Sequence, residues 1–320
     1  MTSKFPYKTA LITGGNGNIG RLISEKLVQQ GVRVIRFDIP GSEPVDTHAL
    51  ETIVVGDIRD TVLLQELFQQ YQPDIVYHLA SLLSGSSEAD IEAAWEINAT
   101  ASFKLMQLAT AHGTQTFFFA STIASYGSDL TDPMHEEMSQ WPENFYGVTK
   151  VAVERIGVYF KQKHNLDFRC LRFPMVISPF APPSAVTAYP SHAFKAAVSK
   201  QKFVFPVSKD TGMSTLFLED VINSIMLFSN ANVGRLKRHA YSLHAYYFTA
   251  EEIVEKIVER YPHFDYRYEP VKEVEHLLSS WPNVIVDDYA QNEWGWQPEY
   301  DFNRSAEWMF DYFSHLENRP

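Results

Sequence analysis

The sequence predicts an α/β protein: a doubly wound parallel sheet carrying a smaller C-terminal lobe. Three observations predict it. From residue 7 to about 173, short apolar runs alternate with helical patterns, as in a parallel sheet with crossover helices. A glycine-rich turn, Thr13-Gly14-Gly15-Asn16-Gly17-Asn18-Ile19-Gly20, follows the first apolar run directly. After Arg172-Phe173-Pro174 the alternation stops and prolines gather.

The strand candidates are 8–13, 32–37, 52–55, 74–79, 115–120 and 167–172, with helix candidates near 18–30, 61–70, 88–112 and 144–164. Asp60 is the expected cap of the second helix. That leaves Asp57, at a strand's carboxyl end, free for a ligand. Residues 174–192, with prolines at 174, 179, 182, 183 and 190, read as a substrate loop leading to a helix near 191–200. Thr215–Leu218 and the helix from Glu219 are expected to rejoin the main sheet. From Thr249 onward, helical patterns and Trp281, Trp294 and Trp296 suggest a C-terminal lobe. The expected division is a nucleotide-binding domain of residues 1–174, rejoined by 214–245, and a substrate lobe of 175–213 and 246–320.

Composition narrows the function. The 320 residues are 45% apolar and 21% charged, as in ordinary globular proteins with a substantial core. A net charge of −12 repels nucleic acid and anionic membranes but not a small anionic cofactor, which responds to local fields. The single cysteine, Cys170, permits no internal disulfide and reads as an apolar filler. No charged-then-apolar leader and no bilayer-length apolar stretch are visible, so the expectation is a soluble, cytoplasmic protein. The eleven histidines lack metal-ligand spacing, so no metal is expected, and Glu136-Glu137 reads as a solvated pair.

Gly14, Gly17 and Gly20 open a helix after a strand, where glycine lets the backbone approach a pyrophosphate and the helix N-terminus faces the phosphates. Asp38 ends the next apolar run and is suited to accept hydrogen bonds from an adenosine ribose. Its carboxylate would repel a 2′-phosphate, which indicates NAD rather than NADP. Tyr146 and Lys150 lie four apart on a predicted helix and share a face. An ammonium near a phenol favours the phenolate, so Tyr146 can accept a hydroxyl proton as hydride leaves carbon. Thr122, after a strand, can hold the reacting oxygen, with its neighbour Ser121 as the alternative.

These residues resemble the extended short-chain dehydrogenase/reductase family over about residues 8–310. The marks are Thr-Gly-x-x-Gly-x-Ile-Gly at 13–20, His78-Leu79-Ala80, Asn98, Ser121-Thr122, Tyr146-Gly147-x-x-Lys150 and Arg172-Phe173-Pro174. The resemblance implies a Rossmann-type fold, NAD, a tyrosine acid/base and a lysine that also holds the nicotinamide ribose. It implies that Asn98 steadies a proton-relay water. The expected cofactor contacts are Gly14, Gly17, Asn18, Ile19, Gly20, Asp38, Asp57, Ile58, Leu79, Ala80, Lys150 and Phe173. It also implies a homodimer built on helices 88–112 and 144–164, for which Ile91, Trp95, Phe103 and Val158 offer apolar surface.

Within that family the chain is similar to the short-chain L-threonine 3-dehydrogenases, through His78–Ser84, Ser121-Thr122-Ile123, Phe168–Pro174, Ser280-Trp281-Pro282, Asp287-Asp288 and Glu293–Pro298. Substrate contacts are then expected from Ser84, Thr122, Tyr146 and Thr187. The likeness breaks where an amino acid would bind. Those enzymes carry Thr-Thr-Asp-Tyr, and this chain reads Val186-Thr187-Ala188-Tyr189, without the carboxylate that faces an ammonium. Glu88 or Glu137 could restore that charge. Asp210-Thr211-Gly212-Met213 lacks the arginine that would serve a phosphate, and Met175, Val186 and Met213 would make the pocket apolar. The leading reading is oxidation of a small secondary alcohol: threonine, or a β-hydroxy acid, sugar acid or more apolar alcohol. An NAD-dependent epimerase or dehydratase is the related alternative. A non-catalytic NAD sensor is disfavoured by the tyrosine–lysine pair.

Overall fold

The computed structural model describes residues 5–42, 47–128, 130–182 and 185–317, with the Val186 side chain and Pro183 outside what is described. The apolar runs become β1 (Thr9–Thr13), β2 (Arg33–Asp38), β3 (Glu51–Val55), β4 (Ile75–His78), β5 (Thr116–Thr122) and β6 (Asp167–Phe173). With the short strand Tyr241–Ser242 they form one parallel sheet, ordered Tyr241–Ser242, β6, β5, β4, β1, β2, β3. Its central strands are apolar on both faces because helices cover both. Ala10, Leu11, Ile12, Ile75, Val76, Tyr77, Phe117, Phe118 and Phe119 are all buried. The winding reverses between β1 and β4, which opens a crevice at the strands' carboxyl ends. Thr13, Asp38, His78, Thr122 and Phe173 all stand at that edge.

Helices α1 (Asn18–Gln29) and α2 (Thr61–Tyr71) match expectation, and the Asp60 side chain accepts from Val62 N and Leu63 N. The expected continuous helix 88–112 is instead four pieces: α3 (Ser84–Ala89), α4 (Ile91–Ala94), a π-helical stretch Trp95–Thr100 and α5 (Ala101–Ala111). Asp90 causes the first break, because its carboxylate bonds Ala93 N and starts α4 afresh. Helix α6 (Phe145–His164) starts at Asn144, whose side chain accepts from Gly147 N at 2.7 Å. It stops where Asn165 adopts a left-handed φ of 55°.

The second lobe departs from expectation in two places. Met175–Ile177, inside the presumed loop, is a strand that pairs with Gly212–Phe217, itself paired with Tyr246–Thr249. Thr215–Phe217 therefore joins this small sheet, and what returns to the main sheet is α8 (Leu218–Asn230), preceded by α7 (Tyr189–Val198), together with Tyr241–Ser242. The lobe is completed by α9 (Ala250–Arg260), α10 (Lys272–Ser279) and α12 (Phe302–Glu317), with α11 (Asp288–Trp294) between the last two. Phe194, Phe205, Phe248, Met309 and Phe310 centre its core, and Met175 and Met213 are buried in the same core rather than in a pocket.

The tryptophans also divide. Trp294 and Trp296 belong to the main-sheet core, with Trp294 4.9 Å from Phe228 ring to ring. Trp296 Nε1 donates to Asp287 at 2.8 Å. The tail thus crosses back onto the core of the main sheet, and Trp281 alone of the three stays with the lobe. Among the described residues no helix is long and apolar enough to cross a membrane.

Candidate active site

The glycine turn makes a cradle that only glycine can form. Gly14 has φ +70°, and a Cβ there would lie 2.8 Å from Ala80 N and 3.0 Å from Leu79 C. A Cβ on Gly20 would lie 2.4 Å from Gly14 O, so α1 could not start this close to β1. Helix α1 begins at Gly17 with no side-chain cap and no acidic residue in its first turn. Its free N–H groups face the crevice mouth, the arrangement that suits a pyrophosphate. Asn18 Nδ2 donates to Phe180 O at 2.8 Å and ties the cradle to the 178–181 loop, while Ile19 packs on the sheet core.

Asp38 reaches back to this turn, accepting from Asn16 N and Ile39 N at 2.8 Å each. Sequence reasoning missed Arg36. It is buried beneath the cradle, donates to Gly15 O at 2.9 Å and pairs with Glu51, and so holds the turn on β2. Asp57 corrects an expectation. Its carboxylate is not free, because Arg59 occupies it through Nε, NH2 and backbone N, and that fork holds the carboxyl below its ordinary range. Ile58 beside it is buried.

Two side chains of the proposed reaction centre meet the tip of β5. A Cβ on Gly147 would lie 2.2 Å from Ala124 O, so this glycine lets the start of α6, with Tyr146, rest on the Ile123–Ser125 turn. Thr122 Oγ1 accepts from Ala124 N at 3.2 Å, and its O–H can still donate. Ser121 points to the opposite face, as strand alternation requires, and donates to Glu154 at 2.5 Å. Of the two hydroxyls, Thr122 is therefore the one not committed to Glu154.

Lys150 Nζ donates to Ala120 O at 2.9 Å and lies 5.3 Å from the Tyr146 ring centre. Burial drags its pKa to about 8. The same desolvation pushes the Tyr146 phenol up, not down as the sequence suggested, because the ammonium is directed at a backbone carbonyl and not at the phenol oxygen.

Asn98 sits in the π-helical stretch, where such irregular turns often mark function. Its side chain accepts from Leu82 N at 2.8 Å and donates to Leu82 O at 3.0 Å and Thr149 Oγ1 at 3.2 Å. Two of these bonds hold Leu82 and the third reaches Thr149 on α6, so its geometry is that of a brace between the 79–82 segment and that helix. His78 is likewise structural: it is bonded to Thr13 and Ser102 at 2.7 Å each and held near pKa 3 by burial. Glu136 is not solvated. It is buried, with its pKa pushed up to about 8 by desolvation, while Glu137 pairs with Arg238 at 3.2 Å.

A cleft of about 470 Å³ opens between α3, the Ile123–Ser125 turn, the start of α6 and α10. Ser84, Glu88, Ala124, Asn144, His276 and Trp281 help line it. Ser84 is thus at the cleft, whereas Thr122, Tyr146 and Thr187 are not among its lining residues. Thr187 stands on the turn Val186–Ala188, packed against α10 and the Met175–Ile177 strand. Glu88 faces the cleft but already accepts from Phe145 N at 2.6 Å. Glu88, which the sequence offered as a carboxylate that could enter the pocket, does line it, whereas Trp281 could not have been placed here from local sequence, because the cleft joins segments about 190 residues apart.

Comparison with known proteins agrees with this geometry. The model of the NAD dependent epimerase/dehydratase family matches residues 10–243. The chain is 32% identical over 313 residues to an uncharacterized epimerase/dehydratase of Staphylococcus saprophyticus, covering 95% of this chain and 96% of that protein. It is 28% identical over 316 residues to the mitochondrial L-threonine 3-dehydrogenase of Bos taurus, covering 97% and 84%. The solved structure of a monomeric L-threonine 3-dehydrogenase from a metagenome superposes with a TM-score of 0.89 at 28% identity, covering 97% of this chain and all of that one. Cradle, crevice and family model concur: the chain belongs to the NAD dependent epimerase/dehydratase family and is an NAD-dependent enzyme of the extended short-chain dehydrogenase/reductase type.

Proposed function

We propose that the enzyme oxidises a secondary alcohol of a small molecule, with Tyr146 as general base. The observation that carries this reading is the approach of α6, bearing Tyr146 and Lys150, to the Thr122 end of β5 beside the cleft. Bound in the cradle, NAD supplies the hydride acceptor and a positive charge that offsets the desolvation of the Tyr146 phenolate. Gly14, Gly17, Asn18, Ile19 and Gly20 would hold its pyrophosphate and Asp38 a ribose. Asp57 and Ile58 would border the adenine, and Leu79, Ala80, Lys150 and Phe173 the remainder. Thr122 donates to the reacting oxygen while Tyr146 takes its proton. Asn98 keeps Leu82 and the start of the cleft wall in place.

Two expectations follow for the cofactor and the assembly. NAD⁺ should bind roughly tenfold or more tightly than NADP⁺, since Asp38 accepts from ribose hydroxyls and repels a phosphate. Calorimetric titration of both checks it, Asp38→Ala should narrow the gap, and equal affinities would refute the role. We also propose a homodimer through the α4 and α6 face, where Ile91, Trp95, Val148 and Tyr159 are exposed. Val158 is only half-exposed and Phe103 packs on Phe160, so the apolar surface differs from that expected. Light scattering at micromolar concentration should give twice the chain mass, and a monomer would reject the dimer.

The substrate we propose lacks a free amine or carries a larger apolar group. Ala188 is the N-cap residue of α7 and makes no side-chain bond there, and the Glu88 carboxylate is already engaged by α6. An ammonium would therefore lose a charge-assisted contact worth roughly 1.5–3 kcal/mol. L-threonine should be a poor substrate or none, and a kcat/KM at or above about 10⁴ M⁻¹s⁻¹ would overturn the proposal. Ala188→Asp should improve threonine turnover.

A further inference from the structure

We propose that the substrate extends past the cleft, and that its far end is an uncharged, polyhydroxylated group held in a second hollow. That hollow, of about 410 Å³, lies between the 130–132 segment and the turn after α10. Ser128, Ser280 and Trp281 line both it and the cleft, so the two spaces adjoin at these three residues.

The walls of the hollow are held by bonds of their own. Asp132 Oδ1 accepts from Val284 N at 3.1 Å. Met134 N donates to Val284 O and Val286 N to Met134 O, at 2.9 Å each. On the other side, Glu275 accepts from Ser208 N at 2.8 Å, Ser208 Oγ at 2.5 Å and Thr211 Oγ1 at 2.6 Å. Gly212 makes room for an aromatic wall. A Cβ there would lie 2.4 Å from the ring of Tyr247, which stands on the neighbouring antiparallel strand.

The chemistry changes from one space to the other. Ala124, Gly127, Leu277 and Trp281 give the cleft much of its wall. The hollow instead presents polar ends that the fold leaves open. The Asp210 carboxylate, the Tyr247 hydroxyl and the Asn283 amide carry no hydrogen bond among the described residues, and Asp132 keeps its second oxygen. Ionised carboxylates accept and never donate, so Asp132 and Asp210 suit a ligand rich in O–H donors. The amide and the phenol can each donate, and so take its oxygens. Trp281 and Tyr247 add flat apolar faces for the C–H side of a sugar ring or cyclitol.

Charge excludes the alternatives. Among the described residues no lysine or arginine lines either space, and the neighbouring Lys209 is paired with Glu251 at 3.2 Å. A phosphate or carboxylate at the far end would meet two aspartates with no cation to offset them. An ammonium alone would satisfy the charges but leave most of the volume and both aromatic faces without contact.

This extension rests on the proposed alcohol oxidation, yet the hollow can be probed without turnover. Saturation-transfer NMR in the absence of cofactor titrates the methyl α-D-pyranosides of glucose, galactose and mannose, and myo-inositol, with glucose 6-phosphate as the anionic probe. At least one neutral probe should bind saturably, and glucose 6-phosphate should bind roughly tenfold more weakly than the best of them, or not at all. Asp210 is exposed, so Asp210→Ala spares the fold, and it should weaken neutral binding roughly tenfold by removing a charged acceptor. Asn283→Ala should weaken it less. In turnover, a secondary alcohol joined to the bound group should have a lower KM than the same alcohol alone, an advantage lost in Asp210→Ala. Absence of saturable binding by every neutral probe, binding unchanged in both variants, equal binding of glucose 6-phosphate, or turnover without that KM advantage would each overturn the proposal. Probe binding that the variants weaken, with NADH released from no alcohol in either form, would leave the hollow standing and overturn the dehydrogenase reading instead.

Discussion

Tyr146→Phe is expected to lower kcat by roughly 10²–10⁴-fold while leaving NAD⁺ affinity nearly unchanged. The substitution removes only the phenol oxygen. The ring keeps its place beside Lys150, and Gly147 still rests on Ala124 O. Proton acceptance is what is lost, because neither Thr122, with its ordinary hydroxyl, nor Lys150, bonded to Ala120 O, can replace it. Lys150→Ala should differ by weakening cofactor binding as well as rate, since the lysine is proposed to hold the ribose too. Steady-state rates and calorimetry on both variants check the contrast. Substantial activity in Tyr146→Phe would mean that another group takes the proton.

Gly14→Ala is expected to abolish measurable NAD⁺ binding and to cost about 2–5 kcal/mol of stability. Two effects add. An alanine held at φ +70° costs roughly 1–2 kcal/mol. Its Cβ would also strike Ala80 N and Leu79 C, backbone atoms that cannot swing aside as a side chain would, and overpacking costs typically 1–3 kcal/mol. If the site relaxes, β4 and β1 separate at the point where the cofactor would enter. Gly17→Ala is the control. That residue is free of left-handed backbone, and its Cβ would meet only Gly14 O, at 3.2 Å. Chemical denaturation should therefore show a large loss for Gly14→Ala and a small one for Gly17→Ala. Equal losses would refute the account of the cradle.

Much of the nucleotide-binding half was legible because its signals are local. The six strands read from apolar runs are present, and Asp60 caps α2 as a residue before an apolar helix should. Tyr146 and Lys150 share a face because four residues make about one helical turn. What local pattern could not give was partnership at long range. Nothing near Asp57 announced that Arg59 would claim it, and Arg36 under Gly15 depends on how β2 lies against β1. The Met175–Ile177 strand was hidden among prolines because its pairing partner, Gly212–Phe217, lies over 30 residues on. Trp294 and Trp296 were assigned to the wrong core, since Trp294 packs on the distant Phe228 and Trp296 packs on Trp294. The charge of Glu136 followed the same rule. Two adjacent glutamates look alike in sequence, yet one is buried and one is paired at the surface.

The most direct test of the central claim is absorbance at the NADH band when the enzyme and NAD⁺ meet a panel of secondary alcohols. The panel should span β-hydroxy acids, sugar acids, apolar alcohols and L-threonine. The account predicts stoichiometric NADH release with at least one alcohol other than threonine, abolished in Tyr146→Phe. Conversion of a panel member with no net NADH would contradict it in favour of an epimerase or dehydratase, and NAD⁺ binding without turnover of any of them would contradict it in favour of a sensor.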